Sequence, residues 1–311
     1  MPIIRIEPQD RAQWLAARAQ DVTASAVGAL FGVHEFVTPF ALWAAKAGRV
    51  PYDDEETPPM RRGRLLEPVA VALLREIEPG WTLHYNSAQS YWRDPDARLG
   101  GTPDVLATDQ RRGPGVVQIK SVEAGVYRRK WFAPDGTPEP PLWVALQATL
   151  EARLTGAEWA AVAPLVVGHG LEMPLIDIPL VPGIYESMAA KSREFWALVA
   201  SGVTPPADYA LDSGVLDALY AKADEWHEID LSRDNAARTL VANRRALLED
   251  RRRINDDIEA IDAEIKAKMG NANKAHLGAG RAIKWAQQYR RAFTVPAATM
   301  RVLRYPREDE E

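Results

Sequence analysis

The amino-acid sequence predicts a mixed α/β core that is followed by a long helix and a small β element. Two observations carry this prediction. Between residues 8 and 202, segments with helical spacing of apolar residues alternate with short aromatic or β-branched segments that have the character of strands. From Ser232 to Met269 the chain contains no proline or glycine, and large aliphatic residues recur every seven positions, at Leu240, Leu247, Ile254 and Ile261.

Helices are predicted for most of the N-terminal part of the core. We expect one helix at about 10–20 and a second one with Thr23 or Ser25 as its N-cap. Two more helices are expected at 38–47 and at 60–80, where apolar residues recur at helical spacing.

The rest of the core alternates between strands and helices. Segments with strand character lie at 81–93, 99–108, 113–122, 157–167 and 171–180. A helix over 140–156 begins near Pro141 and ends at Gly156, and a further helix is predicted over 183–202.

A change of composition near residue 205 predicts two domains. Because segment 202–214 reads as a linker, we place the core at 1–205 and a C-terminal extension at 206–311. The long helix is expected to fold back on a helix near 212–229 as a hairpin, before a small β element ends the chain.

The heptad pattern of the long helix is imperfect. Ile258 and Ile265 occupy the intermediate apolar position of the repeat, whereas Arg244 and Arg251 replace it earlier. Such a helix could mediate oligomerisation, pack on the core or dock a partner.

Composition excludes several kinds of site. With no cysteine and only five histidines, the chain has no thiolate ligands and little room for a zinc centre, so any metal is expected to be a hard ion held by oxygen atoms. The net charge of −5 argues against a protein coated with positive charge, although a local basic groove is compatible with it. No segment has the length of a membrane span or a signal-peptide core, so we expect a cytoplasmic protein of a bacterial host cell.

Polar side chains near two neighbouring strands form a candidate metal cleft. Asp104 opens one strand, and Gln118 and Lys120 lie two residues apart on the next, so both point to the same face. Glu67 can add a carboxylate from the preceding helix, and the backbone carbonyl of Ile119 can face the ion. Such a site suits metal-dependent phosphodiester hydrolysis, in which a lysine orients water or stabilises the phosphate. The alternative is that these are ordinary solvated side chains at strand ends.

Five motifs occur in a characteristic order, namely WLAARAQDVTASAVGALFG, RGRLLEPVAVALL, YWRDPDARLGGTPD, VVQIKSV and WVALQATLEARLTG. The spacing of Trp14, Arg18 and Ser25 is fairly specific, as is Asp94 ten residues before Asp104. This set resembles the YqaJ-type viral recombinase (phage lambda exonuclease-like) family of the PD-(D/E)XK nuclease superfamily. The resemblance covers roughly residues 10–200 and implies a restriction-endonuclease-like core, in which helices flank a central mixed sheet.

The resemblance also implies roles for individual residues. Asp104 would be the central metal-binding carboxylate, Lys120 the catalytic lysine and Glu67 a helical glutamate near the metal. Arg18 and Ser25 match residues that hold the 5′-phosphate of the degraded strand. Each has a plainer alternative, because Arg18 could pair with an acid on its helix, Ser25 could be only an N-cap, and Glu67 before Pro68 could mark a helix start or kink.

Two further residues are assigned by the resemblance, and a third by the basic segment that contains it. Gln147 matches a helical glutamine of the DNA-binding set, and Asp94 matches an upstream acid with a supporting role. Arg128, in the basic segment YRRKWF, is expected to contact DNA. Alternatively, Gln147 is a satisfied core amide, Asp94 belongs to an ordinary turn in RDPD, and the basic segment is a solvated loop.

Other basic residues fit a groove that follows a phosphate backbone. They are Arg61, Arg62, Arg64, Arg111, Arg112, Arg129 and Lys130. Their aromatic neighbours Tyr127 and Trp131 could stack on an unpaired base.

Gln118 departs from the family pattern, which has a second carboxylate at this position. A neutral amide oxygen can coordinate Mg²⁺ but contributes no charge, so it is expected to bind the ion more weakly. Either the remaining carboxylates hold a working ion, which we favour, or the chain has lost activity and kept DNA binding.

These observations predict a Mg²⁺-dependent deoxyribonuclease, with Mn²⁺ as an alternative ion. By resemblance it would digest double-stranded DNA from its ends, 5′ to 3′, and leave 3′ single strands for phage-type homologous recombination. A single-strand annealing protein and a homo-oligomeric ring are implied as partners. Two alternatives stay open: a weakened DNA-end binder or recombination scaffold on the same fold, and a coiled-coil interaction protein whose core only positions the long helix.

Overall fold

The protein divides into two compact units, Met1–Tyr220 and Ala221–Glu311. The computed structural model describes residues 2–51, 56–87, 89–223 and 227–292, together with residues 294, 297, 301, 303 and 305. The first unit contains the sheets and their flanking helices, and the second contains the long helix and a β-hairpin. The predicted fold class, a central mixed sheet flanked by helices with a long-helix extension, is confirmed.

The elements follow the predicted alternation of helices and strands. The helices are α1 Arg11–Ala19, a 3₁₀ helix at Ala24–Phe31, α2 Pro39–Lys46, α3 Pro58–Ile77, α4 Ala124–Lys130, α5 Leu142–Thr155, α6 Ile184–Ser201, α7 Ser213–Leu219 and α8 Asn235–Met269. The strands are β1 Ile4–Ile6, β2 Val22–Thr23, β3 Thr82–Tyr85, β4 Tyr91–Asp94, β5 Leu99–Gly101, β6 Val105–Asp109, β7 Gly113–Glu123, β8 Trp159–Val167, β9 Leu171–Glu172, β10 Ile176–Ile178, β11 Lys274–Gly278 and β12 Arg281–Lys284.

The central sheet has the strand order β10-β8-β7-β6-β3, and β9 pairs with β8. The long strand β7 is its central strand, since it runs antiparallel to β6 over residues 113–117 and parallel to β8 over residues 115–123. Every residue of β8 except the last is buried, which is typical of a strand covered on both faces.

Two helices cover the two faces of β7 and therefore lie beside its polar residues. On one face, Ile119 belongs to an apolar cluster with Val71 and Leu74 of α3. On the other face, Val122 packs in a cluster with Val144 and Ala148 of α5. Because alternate residues of a strand point to opposite faces, the strand presents side chains to both helices.

A smaller sheet of order β1-β4-β5-β2 lies beside the central one in the first unit. The segment 81–93, predicted as one strand region, forms β3 and β4 in two different sheets. The buried side chain of Asn86 stabilises the change, because its amide donates to the carbonyls of Ser90 (3.0 Å) and Pro103 (2.9 Å). The backbone N–H of Asn86 also donates to the carbonyl of Asp104 at 2.9 Å. The point at which the chain passes from the central sheet to the smaller sheet therefore lies next to the candidate site.

Several local predictions need correction. The helix after Thr23 is a 3₁₀ helix, and the Thr23 hydroxyl contacts Ser25 rather than capping the helix. The basic segment after Lys120 is helix α4 rather than a loop, because the Glu123 carboxylate caps it by accepting from the N–H groups of Gly125 and Val126. Near 212–229 the described chain is helical only in α7, and the terminal β element is the hairpin of β11 and β12.

None of the helices among the described residues is both long enough and apolar enough to cross a membrane.

The close packing of Trp159 on β7 yields a test of the fold. A Cβ atom at Gly115 would lie 2.0 Å from Trp159 Cε2, and the buried indole is held by a 3.0 Å hydrogen bond from its Nε1 to the Gly113 carbonyl. We expect Gly115→Ala to lower the free energy of unfolding by about 1–3 kcal/mol, because the ring must move in a packed core. Urea unfolding followed by circular dichroism measures this change.

Gly170→Ala is the matched control, since a Cβ atom there meets no atom within 4 Å. Its effect should stay within about 0.5 kcal/mol. Equal unfolding midpoints for the two variants would contradict the packing argument.

Candidate active site

The carboxylate of Asp104 joins the start of β6 to the middle of β7. Asp104 Oδ2 accepts a hydrogen bond from the backbone N–H of Ile119 at 2.8 Å and one from Gln118 Nε2 at 2.5 Å. The β6–β7 register, with Val105 opposite Val117, places these groups side by side. The pairing predicted between Asp104 and the QIK segment is therefore present in three dimensions.

Lys120 is held by a chain of buried polar groups on α5. Its Nζ donates to Gln147 Oε1 at 2.8 Å, and Gln147 Nε2 donates to Glu151 Oε1 at 3.0 Å. Gln147 and Glu151 are buried and lie one helical turn apart. Both side-chain atoms of Gln147 thus bond within the protein, as its alternative interpretation as a satisfied core amide predicts.

Glu67 approaches the same place from α3. Its carboxylate accepts a hydrogen bond from the Tyr85 hydroxyl, and burial raises its pKa. Burial and the nearby Glu67 charge raise the pKa of Tyr85 to about 12. Burial, and then the charge of Glu67, raise the pKa of Asp104 to about 7. Glu67 and Asp104 therefore lie close enough for their charges to oppose each other.

The site has more buried carboxyl groups than buried cations. Burial raises the pKa of Glu151 well above its usual range and lowers the pKa of Lys120. Asp104, Glu67 and Glu151 surround one lysine, so each ionised carboxylate is costly without a further positive charge. A divalent cation bound between them would supply that charge.

The donor groups fit a weakly held hard cation. Gln118 Oε1 is buried and has no hydrogen-bond partner among the described residues. Within the described ranges, no three His, Cys, Asp or Glu side chains form a group that could hold a metal by themselves. A cation here therefore needs the amide oxygen of Gln118 and the carbonyl of Ile119 besides the carboxylates of Asp104 and Glu67.

Arg18 reaches the same region from α1. Its guanidinium lies 4.2 Å from the centre of the Trp14 ring, and its charge lowers the pKa of Glu151. Trp14 Nε1 in turn donates to Thr102 Oγ1 at 3.1 Å, two residues before Asp104.

Ser25 lies in the 3₁₀ helix that packs against α5. Its hydroxyl is 3.1 Å from Thr23 Oγ1, and its carbonyl is 3.0 Å from His34 Nε2. The preceding Ala24 lies near Gly101 and Glu151, since a Cβ atom at Gly101 would be 3.3 Å from Ala24 Cβ and 3.1 Å from Glu151 Cγ. Ser25 is therefore beside the polar cluster, although it makes no direct bond to Asp104 or Lys120 in the described structure.

Two predicted residues are not brought to the cluster. Asp94 Oδ1 accepts from the N–H groups of Asp96 (2.9 Å) and Ala97 (3.1 Å), while Oδ2 accepts from the Tyr185 hydroxyl. Asp94 thus stabilises a turn and its contact with α6, as the turn alternative predicts. Arg128 is exposed on α4, where its charge acts on Glu123.

The basic segments are divided between two ends of the sheet. Arg111 and Arg112 lie in the β6–β7 turn, at the end of β6 opposite to Asp104, and Arg112 pairs with Asp177. They are therefore remote from the site, contrary to a single continuous groove. Arg62 and Lys130 lie at the site end, where they line a cavity.

That cavity, of about 580 Å³, opens next to Lys120. Its walls include Trp131 and Trp143, and at its rim Phe36 is 73% exposed and meets Trp143 edge-on at 6.1 Å. Tyr127 and Trp131, which the sequence suggested could stack on an unpaired base, are both buried. The exposed aromatic side chain at the site is Phe36.

Sequence reasoning missed three contributors to the site. Glu151 follows Gln147 by four residues on a helix, so its i, i+4 spacing was a usable signal. Tyr85 and Asn86 carried no such signal, because they reach the site only through the pairing of β3 with β6.

Comparison with known proteins supports the predicted resemblance. The model of the YqaJ-like viral recombinase domain matches residues 13–158. The uncharacterized protein YqaJ of Bacillus subtilis (strain 168) is 23% identical over 273 residues, which cover 86% of this chain and 81% of that protein. The resemblance to the YqaJ-type viral recombinases is therefore confirmed.

Two solved structures are also similar to this chain, at lower sequence identity than the Bacillus subtilis protein. An alkaline exonuclease (LHK-Exo) from Laribacter hongkongensis is 21% identical with a TM-score of 0.48, over 66% of this chain and 98% of that chain. A SOX–DNA complex is 11% identical with a TM-score of 0.38, over 61% of this chain and 67% of that chain.

The buried carboxyl of Glu151 yields a pH prediction. Its pKa in the folded protein lies well above the ordinary 4.5, so its contribution to stability is present below pH 4.5 and is lost as the pH rises. Glu151→Gln, which stays neutral, should melt near the wild-type temperature at about pH 4 and several degrees above it at about pH 8. Thermal melts in EDTA across this pH range measure the difference.

Glu158→Gln is the control, because Glu158 is exposed just beyond the C-terminal end of α5. Its difference from wild type should not change with pH. A Glu151→Gln difference that is equally flat would show that Glu151 ionises without cost in the folded protein.

Proposed function

We propose that this protein is a metal-dependent deoxyribonuclease that digests double-stranded DNA from its ends, 5′ to 3′. The observation that carries the proposal is the convergence of Asp104, Gln118, Lys120 and Glu67 at one end of the central sheet, beside a cavity that is open to solvent. The match to the YqaJ-like viral recombinase domain supports it. The 3′ single strand left by such digestion suits phage-type homologous recombination.

Mg²⁺ is the proposed cofactor, with Mn²⁺ as an alternative. Asp104, Glu67, the Gln118 amide oxygen and the Ile119 carbonyl would hold it, since all are oxygen donors. When bound, the ion would polarise the phosphate and lower the pKa of water. It would also offset the burial and the repulsion from Glu67, which together raise the pKa of Asp104.

Lys120 is the proposed catalytic residue. Its Nζ is oriented by Gln147, so the ammonium group can donate a hydrogen bond to the attacking water or to a phosphate oxygen. Gln147 and Glu151 are positioning residues in this scheme, because they act through Lys120.

The end of the degraded strand would lie between Arg18 and the cavity. Arg18 offers a cation for the 5′-phosphate, and Ser25 offers a hydroxyl from the neighbouring 3₁₀ helix. The apolar walls and exposed Phe36 suit an unstacked base, since base–aromatic stacking is favourable and independent of sequence. Arg62 and Lys130, at the same cavity, would contact the phosphate backbone.

The resemblance also supports a set of partners and a location. We propose that the protein works in the cytoplasm of a bacterial cell with a single-strand annealing protein, and that it assembles into a homo-oligomer around DNA. These assignments rest on the family match rather than on contacts of the described residues.

A second function is favoured by one specific contact. The Gln118 amide donates to Asp104 Oδ2, so its hydrogens occupy the oxygen that an ion would use. If the amide does not turn over to present Oε1, the chain would be a DNA-end binder with little turnover. The same digestion experiment separates the two functions.

Digestion of a linear duplex labelled at one 5′ end, with Mg²⁺, Mn²⁺ or EDTA, tests the proposal. We expect wild-type protein to shorten the duplex only with the metal, and Lys120→Ala to lose at least about 100-fold in rate, because the group that stabilises the developing charge is removed. Gln118→Glu should cut faster at low Mg²⁺, because a carboxylate binds the ion more tightly than an amide.

Digestion in EDTA, or undiminished cutting by Lys120→Ala, would refute this assignment. Activity that emerges only in Gln118→Glu would identify the native chain as the DNA-end binder. Digestion by wild type that Gln118→Glu does not improve would keep the nuclease and remove the argument about weak ion binding.

The proposed role of Arg18 makes a separate prediction. Arg18→Ala should reduce the preference for 5′-phosphorylated over 5′-hydroxyl ends about tenfold, because a charge-assisted contact to the phosphate is lost. Arg11→Ala, an exposed arginine on the same helix, should keep that preference. Competition between the two kinds of duplex end measures the ratio, and an unchanged ratio in Arg18→Ala would place the phosphate elsewhere.

A further inference from the structure

Helix α8 presents an uncovered apolar stripe. Leu240 is 69% exposed, Leu247 67%, Ile254 53% and Ile261 59%. These residues recur every seven positions over the helix Asn235–Met269, so they lie along one narrow seam. Soluble proteins seldom leave such a continuous apolar surface without a partner.

The seam has the a and d positions of a coiled coil. If the four residues of the stripe occupy d, the a positions hold Arg244, Arg251, Ile258 and Ile265. Both positions are therefore aliphatic in the C-terminal half of the helix, while arginine alternates with leucine in the N-terminal half. In an antiparallel pair, the N-terminal half of one helix, which carries the arginines, would face the fully aliphatic C-terminal half of the other helix.

Charge divides the helix at the same point. Residues 235–253 contain six arginines and two acids, whereas residues 254–269 contain five acids and two lysines. The net charge thus changes from +4 in the first half to −3 in the second. A parallel copy would meet like charge along its whole length, and an antiparallel copy would meet opposite charge in both halves.

We propose that α8 pairs with the α8 of a second copy of this chain as an antiparallel coiled coil. The interface is isologous, because the same seam serves both copies about a two-fold axis near residues 252 and 253. In this register Leu240 faces the partner's Ile265, and Leu247 faces the partner's Ile258, so each d residue meets an a residue. The overlap from 240 to 265 is about 38 Å long.

The arginines on the seam are compatible with this pairing. Their aliphatic stems can lie along the apolar partner residues while the guanidinium groups reach the acidic half of the partner. In the same unit, the guanidinium of Arg244 lies 3.9 Å from the centre of the Tyr305 ring, so this side chain is compatible with an apolar neighbour. The pairing does not depend on nuclease activity, so it can be tested independently of the proposed function.

The absence of cysteine allows a direct distance test on the full-length chain. Asn255→Cys and Asn243→Cys, each carrying a spin label, report on the centre and on one end of the proposed overlap. Antiparallel pairing should give a label separation below about 20 Å at 255 and about 30 Å at 243, from the rise per residue. Sedimentation should show a dimer whose dissociation increases with salt.

A pair of glutamate variants separates the seam from general charge effects. Ile258→Glu, on the seam opposite the partner's Leu247, should raise the dimer dissociation constant at least about 100-fold, because a charge enters an apolar layer. Ala263→Glu, on the opposite face of the same helix, should leave it within about threefold, since that position stays in solvent. Circular dichroism must show equal helix content in both variants.

Three results would overturn the proposal. A monomer at all concentrations tested would mean that the stripe is covered by another part of this chain or by a different partner. Short separations at both labelled positions would mean parallel pairing. Equal dissociation constants for Ile258→Glu and Ala263→Glu would mean that the copies meet through another surface.

Discussion

The first unit depends on one half-buried carboxylate. Asp104 Oδ2 accepts from the Ile119 N–H at 2.8 Å and from the Gln118 amide, so β6 and β7 are joined where the ladder between them ends. The backbone of Asp104 also receives the Asn86 N–H, which connects β3 and the smaller sheet to the same residue. Burial of this acid is costly, and its raised pKa of about 7 records that cost. Asp104 thus joins the strands of the fold, and a bound cation would stabilise its ionised form.

Helix α5 supplies the other half of the site because it is buried on several sides. It packs on β7 and β8 through one face and on the 3₁₀ helix through another, and its polar residues Gln147 and Glu151 are buried. Gln147 therefore accepts a hydrogen bond from Lys120 and donates one to Glu151. The same packing keeps Lys120 in one orientation, which an exposed lysine with four rotatable bonds would not hold.

Different kinds of structural feature are informative in the two units. In the first, function is proposed from a small number of buried polar groups whose partners come from distant parts of the sequence. In the second, the informative feature is periodic, since one helix carries both an apolar seam and an inversion of charge along its length. Periodic features of this kind are readable without a tertiary structure, whereas buried polar networks are not.

The sequence by itself determined the alternation of helices and strands, the long helix and the pairing of Asp104 with the QIK segment, because periodicity and turn residues act locally. Only the tertiary structure decided which polar residues converge. It brought Glu151 and Tyr85 to the site, kept Asp94 in a turn, and placed Arg111 and Arg112 at the far end of the sheet. It also made Phe36 the exposed aromatic and buried Tyr127. These outcomes depend on strand register and helix packing, which join residues that no local pattern relates.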